Sequence, residues 1–267
     1  MGKDFQENWK RYGLQFLAMF GIIATLFILQ SDTPYKLIVQ GKFSIQIEDR
    51  LLPVASILFL GFGVVFASTL MEPMRSKTKR TAFLMNPSSN LEKYVSRWLI
   101  VTIGYIITFF VALWVADLIR VAVFSVRYPD VDANMLNLSL LIKSNGKINA
   151  LFNDGYQFSF FVGLFFLFQS LCVLGSTFWE KVSFVKTFAA STVIVLLFIL
   201  LARWTILLFY TDVKQFENVL TSVFGRRKEM SDNEIFMMLT GIFAFFTLIN
   251  WTISFFRFRE SEIIKRW

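Results

Sequence analysis

Histidine is absent from the sequence. Its absence removes the commonest general base and metal ligand, and with them any Ser-His or Cys-His nucleophile pair. Cysteine occurs once, as Cys172, which excludes an internal disulfide and a thiolate metal cluster. Cys172 lies in the apolar run Phe165–Leu174 and reads as a small buried hydrophobe. No Gly-x-x-x-x-Gly-Lys-Ser/Thr phosphate loop occurs, and the lone Gly41-Lys42 pair falls in a connecting segment. The sequence is therefore expected to hold no cofactor and to carry no catalytic motif. Charge is scarce too, at 17% of residues, and it falls mainly between long uncharged runs.

Apolar residues fill the space these absences leave. They make up 55% of the 267 residues, and phenylalanine alone contributes 33. Six segments are long enough to cross roughly 30 Å of hydrocarbon at about 1.5 Å per residue. They are 12–30, 51–70, 98–118, 158–178, 187–210 and 235–256. The expected fold is an all-α polytopic membrane protein, a single transmembrane domain over 1–267. Gly61 and Gly63 in the second span and Gly163 in the fourth are candidates for close helix contacts. The stretch 12–30 is longer than a signal-peptide core and lacks a small-x-small cleavage site, so it reads as a retained span.

An even number of spans places both ends of the chain on one side. That side would hold the N-terminus, the loops 71–97 and 178–186 and the C-terminus. It carries 15 basic residues against 7 acidic ones, while the other side is balanced at 11 and 11. The positive-inside bias makes the basic side cytoplasmic. Its charge suits anionic headgroups of the bilayer, and topology accounts for it without nucleic-acid binding.

Several smaller elements are expected around the spans. Phe5, Trp9 and Tyr12 recur at helical spacing among charges and predict an interfacial helix over 1–11. Lys36–Ile47 alternates around Gly41, and Leu138–Phe152 contains Asn145-Gly146. Both patterns predict hairpins, with irregular loops as the alternative. Phe216, Val219, Leu220, Val223 and Phe224 predict an amphipathic helix before the last span. Ser231 and Glu234 are spaced as a capping box that starts that span.

The 71–97 loop is the most informative stretch. Basic residues from Arg75 to Arg80 precede Phe83, and Pro87 breaks the helix. Ser89 and Glu92 are spaced as a capping box, so a new helix should start there and run into the third span. A break followed by a fixed helix suits a docking element for a cytoplasmic partner. It would equally serve as a plain turn whose charges hold topology.

This loop resembles the cytoplasmic loop of ABC-2-type transporter permeases, which carries a Leu-Pro-Ala-Ser-x-x-Glu-Lys-like motif. Here the stretch is Asn86-Pro87-Ser88-Ser89-Asn90-Leu91-Glu92-Lys93, with Asn86 in place of leucine and Ser88 in place of alanine. Further likenesses lie in Leu174–Lys181 with Phe184, Lys186 and Thr187, and in Asn250-Trp251 with Phe256–Arg259. The resemblance implies a permease half-transporter in a bacterial cytoplasmic membrane. It would pair with a second permease subunit, identical or not. Each permease would dock a separate ATP-binding subunit, which would hold the ATP and magnesium. The first coupling element would lie at about Arg80–Glu92 and the second at about Thr177–Lys186. The implied docking residues are Arg80, Asn86, Pro87, Ser89, Glu92, Lys93, Phe178, Glu180, Lys181 and Lys186.

Two charges fall inside the expected spans, Asp117 and Arg203. Intramembrane charges are costly and often functional. The two could pair between the third and fifth spans, or each could reach the outer interface. They are too few for an intramembrane protease or lipid transferase. A permease driven by a partner ATPase, leaning to export, is the favoured reading. A non-transporting structural or sensory subunit is the alternative.

Overall fold

The computed structural model describes residues 2–40, 47–75, 77–85, 87–129, 131, 133–141, 151–152, 154–179, 182–209 and 231–264. Among the described residues eight α-helices follow one another: α1 (Gly2–Val39), α2 (Glu48–Ala67), α3 (Lys77–Leu84), α4 (Asn90–Leu99), α5 (Tyr105–Arg127), α6 (Gly155–Phe178), α7 (Ser183–Phe209) and α8 (Asp232–Ile264). A 3-10 turn (Glu72–Arg75) precedes α3, and a π turn (Ile100–Gly104) joins α4 to α5 without a break. No strand occurs among the described residues. Among the described residues six stretches are long and apolar enough to cross a membrane, at Tyr12–Val39, Glu48–Met74, Asn90–Arg127, Gly155–Phe178, Ser183–Leu201 and Asp232–Glu260. The chain is an all-α, multi-pass membrane protein.

The bundle core is aromatic. Met19, Ile23 and Phe27 of α1 meet Leu51 and Ala55 of α2, Tyr105, Phe109 and Ala112 of α5 and Phe165 of α6. Phe59 sits among the rings of Tyr105, Phe109, Phe161 and Phe165 at centroid distances of 4.5–6.4 Å. Gly63 makes this approach feasible, because a Cβ there would overlap Phe165 and come 3.1 Å from Tyr105. Gly163 instead faces Thr240 and Phe243 of α8, and Gly61 has open space beside it. A second cluster gathers Ala67, Leu70, Met71, Met74, Tyr94, Val101, Cys172, Val173 and Phe258 at one end of the bundle. Cys172 is buried there, packed as a hydrophobe.

The peripheral helices complete the layout. The α6–α8 contact is the most extensive among the described elements, and α7 packs on α6. Gly175 of α6 leaves the room that Thr187 of α7 occupies. Residues 192–201 of α7 are all exposed and nearly all apolar, a surface whose solvent is lipid. The phenylalanines divide accordingly. Phe27, Phe109, Phe124, Phe165 and Phe258 are fully buried, whereas Phe168, Phe188, Phe198, Phe245 and Phe246 face outward.

Several elements differ from the sequence expectation. The helix expected over 1–11 runs without interruption into the first span, so that Gly2–Val39 is one 38-residue helix. At about 1.5 Å per residue it is far longer than the hydrocarbon core is thick. It also runs past Gln30 and through Pro34. Contacts to α5 and one pair within the helix hold these extra residues. Tyr35 stacks on Phe124 with centroids 4.4 Å apart, Asp32 pairs with Lys36, and Arg127 reaches Asp32 at 3.0 Å. The first expected hairpin therefore does not begin at Lys36, and residues 41–46 lie outside the described residues. In the second, Leu138–Leu141 forms a 3-10 turn. The N–H groups of Leu151 and Phe152 donate to the Leu140 and Leu141 carbonyls at 3.0 and 3.1 Å, which closes the loop ends. Asn145-Gly146 lies outside the described residues, as does the expected amphipathic helix at Phe216–Phe224. The cap of α8 forms: Ser231 N–H donates to Glu234 Oε2 at 3.0 Å, and Asn233 N–H donates to Ser231 Oγ at 3.4 Å.

Candidate functional site

The site that the sequence singles out is built around α4. Ser89 Oγ accepts from the Glu92 N–H at 3.2 Å, and Glu92 Oε2 accepts from the Ser89 N–H at 3.3 Å. The capping box is complete and fixes the first turn of α4. Losing the Ser89 hydroxyl removes the acceptor for one orphan helix N–H. Ser89→Ala should therefore cost about 1 kcal/mol in thermal unfolding of the purified protein. Ser89→Asp, which keeps an acceptor, should cost little.

Upstream, Arg80 closes the approach to α4. Its Nε and Nη2 donate to the Met74 carbonyl at 3.2 and 2.7 Å, folding α3 back onto the Glu72–Arg75 turn. Phe83 of α3 then lies beneath two cations of α4. Lys93 Nζ is 5.9 Å from its ring centroid, and the Arg97 guanidinium is 5.6 Å away. Such cation–π contacts are worth about 0.5–2 kcal/mol, more when desolvated. Lys93 is buried at 6% exposure, so it faces inward. The outward surface of α4 and the preceding turn carries Met85, Pro87, Leu91, Glu92 and Val95.

The inner face of α4 meets α8. Tyr94 donates its hydroxyl to the Trp251 carbonyl at 3.2 Å, and its ring lies 5.6 Å from Phe255 and 6.1 Å from Phe258. Trp98 stands edge-on to Trp251 at 4.9 Å. Phe178, half-exposed at the end of α6, carries the Arg257 guanidinium over its ring at 5.1 Å. The 71–97 stretch, the end of α6 and the exit of the last span thus converge at one end of the bundle. Tyr12 of α1 sits at the same end, in a small cleft with Phe66, Thr69, Glu72 and Arg97. Lys186 is exposed near the start of α7. Asn86, Glu180 and Lys181 lie outside the described residues. Val182, just before α7, has φ 53°, a left-handed conformation that costs a β-branched residue about 1–3 kcal/mol.

Deeper in the bundle a polar network crosses three helices. Gln169 of α6, fully buried, donates to Thr102 Oγ1 at 2.7 Å and accepts from the Trp251 indole N–H at 3.2 Å. Asn250 donates to Ser170 Oγ at 3.0 Å. Polar side chains inside a span need such partners, and each bond contributes about 0.6 kcal/mol in lipid. Asn250 is thus a packing residue in the membrane. The sequence hint is polarity within apolar runs, at Thr102, Gln169 and Asn250.

The two intramembrane charges do not meet. Asp117 is paired with Arg120, three residues on in α5, at 2.6 Å. Its second oxygen accepts from the Leu136 N–H at 2.7 Å. Arg120 also donates to the Asn134 carbonyl at 2.7 Å and to the Tyr35 hydroxyl at 3.4 Å. Arg203 stands exposed on α7. The third span continues to Arg127, so Arg120 lies inside it, whereas the expected end at Leu118 leaves it out. The Asp117–Arg120 pair ties α1, α5 and the 134–136 segment at the end opposite α4. No family model, curated protein or solved structure matches the chain.

Proposed function

We propose that this chain is the permease subunit of an ATP-driven ABC-2-type transporter, moving its substrate across a bacterial cytoplasmic membrane, outward, with both termini cytoplasmic. The observation that carries this reading is the capped helix α4. It begins at an exposed Pro87–Ser89 turn outside the bundle and continues, without a break, into the third span. A lever of this kind can pass a push at its outer end into the membrane. The permease-like motif Asn86–Lys93 falls on that outer end, and the α6–α7 turn, the second proposed coupling element, lies at the same end of the bundle. The energy would come from ATP hydrolysis on the docked subunit, and a second permease subunit would complete the path.

The test is a mild-detergent purification of the tagged full chain, with mass spectrometry of what accompanies it. A stoichiometric ATP-binding subunit is expected. Pro87→Glu combined with Leu91→Glu alters exposed positions and spares the caps, so this variant should stay monodisperse and lose that subunit by at least several-fold. Absence of any ATPase in several detergents would sink the reading. Weight would then move to a non-transporting structural or sensory subunit, which would need no motor.

A further inference from the structure

The span Asn90–Arg127 changes register once. Between Leu99 and Tyr105 it widens into the π turn Ile100–Gly104, where the Tyr105 N–H reaches back five residues to the Ile100 carbonyl. Such a turn holds one residue more than an α-helix has room for, and π turns within α-helices recur at functional sites. The local sequence favours it. Ile100, Val101, Thr102 and Ile103 are β-branched and Gly104 is a poor helix former, so the α register has little intrinsic advantage there.

The two sides of the turn are anchored to different helices. On the α4 side, Tyr94 and Trp98 hold α8 through Trp251. On the α5 side, Tyr105 donates its hydroxyl to the Phe59 carbonyl of α2 at 2.5 Å, and α5 packs along α1. Gln169 bridges the turn itself to α8, through Thr102 Oγ1 and the Trp251 indole. Gln169 is thus placed to hold the extra residue at 100–104.

We propose that this π turn is a register switch between α4 and the membrane bundle. When the bulge moves toward Asn90, each α4 residue that it passes turns by about 100° and shifts by about 1.5 Å, while α5 keeps its place. The turn around Pro87 absorbs the extra residue. Lys93 and Tyr94 then rotate away from Phe83 and Phe258, and the Gln169 bridge breaks. Movement of α4 is thereby converted into repacking of α6 against α8. The switch is a property of this chain alone and does not depend on what docks at its outer end.

Cysteine labelling of α4 in lipid nanodiscs tests it, on a Cys172→Ala background with a water-soluble maleimide. In the parent, Leu91→Cys, Glu92→Cys and Val95→Cys should react several-fold faster than Lys93→Cys, because the first three face outward and Lys93 is buried. Adding Gln169→Leu or Thr102→Val should collapse the contrast, with position 93 reacting within about twofold of position 95 as two registers become populated. Ala112→Cys, in the α5 core, should stay unreactive throughout. An unchanged α4 contrast in both variants would overturn the proposal. So would equal gains at positions 93 and 112, which mark general loosening. If Gln169→Leu aggregates, Thr102→Val, which removes one hydroxyl and keeps the shape, decides alone.

Discussion

Arg120→Ala is expected to destabilise the purified protein by about 3–5 kcal/mol, a large fraction of the stability of a typical domain. Arg120 is 1% exposed, and its guanidinium serves Asp117, Asn134 and Tyr35 together. Without it the Asp117 carboxylate stays buried, with the Leu136 N–H as its remaining described partner. A carboxylate left unpaired in a medium of low dielectric is strongly disfavoured. Asp117→Asn should fall in a similar range, because it leaves the guanidinium uncompensated. The double variant Asp117→Leu with Arg120→Leu should lose less than either single one, since no charge remains buried. Thermal unfolding in detergent across this double-mutant cycle checks the point. Additive losses would show that the two side chains do not act as a pair.

Gly63→Ala should cost about 1–3 kcal/mol by overpacking. The added methyl would overlap the Phe165 ring and press on Tyr105. Both rings are almost fully buried, and Tyr105 is also held by its bond to the Phe59 carbonyl, so neither can swing aside cheaply. Phe165→Leu removes the obstructing ring atoms and by itself leaves a void. Combined with Gly63→Ala it should recover part of the loss, because the new methyl fills part of that void. Unfolding midpoints of the three variants give the coupling. No recovery would mean that α2 moves away as a body when the methyl is added.

How far the sequence can be read depends on the kind of interaction involved. The six spans come from length and hydropathy, which need no partner to be legible. The α4 cap is equally plain, because Ser89 and Glu92 bond within one turn. Gly63 is legible as a contact glycine, although the ring that meets it is not. Span ends are harder to read. The apolar run of the first span stops at Gln30, yet stacking of Tyr35 on Phe124 carries the helix through Pro34 to Val39. That contact joins residues far apart in the chain and leaves no local trace. Ending the third span at Leu118 has a further effect, because it puts Arg120 outside the membrane. Asp117 is then left with Arg203 as its nearest intramembrane cation.

Residue order alone establishes that the chain is an all-α, multi-pass membrane protein, how many times it can cross, and where α4 begins. Apolar run length and capping chemistry are local, so they are written in consecutive residues. Packing in three dimensions settles which polar groups answer one another inside the bundle: Asp117 with Arg120, Gln169 with Thr102 and Trp251, Tyr94 with the Trp251 carbonyl. It also settles that Lys93 of the capped helix faces inward, and that one extra residue is stored at 100–104. Those outcomes depend on how helices rotate against their neighbours. A buried polar group takes whichever partner the packing brings within about 3 Å, since leaving it unpaired in lipid costs more than any local preference.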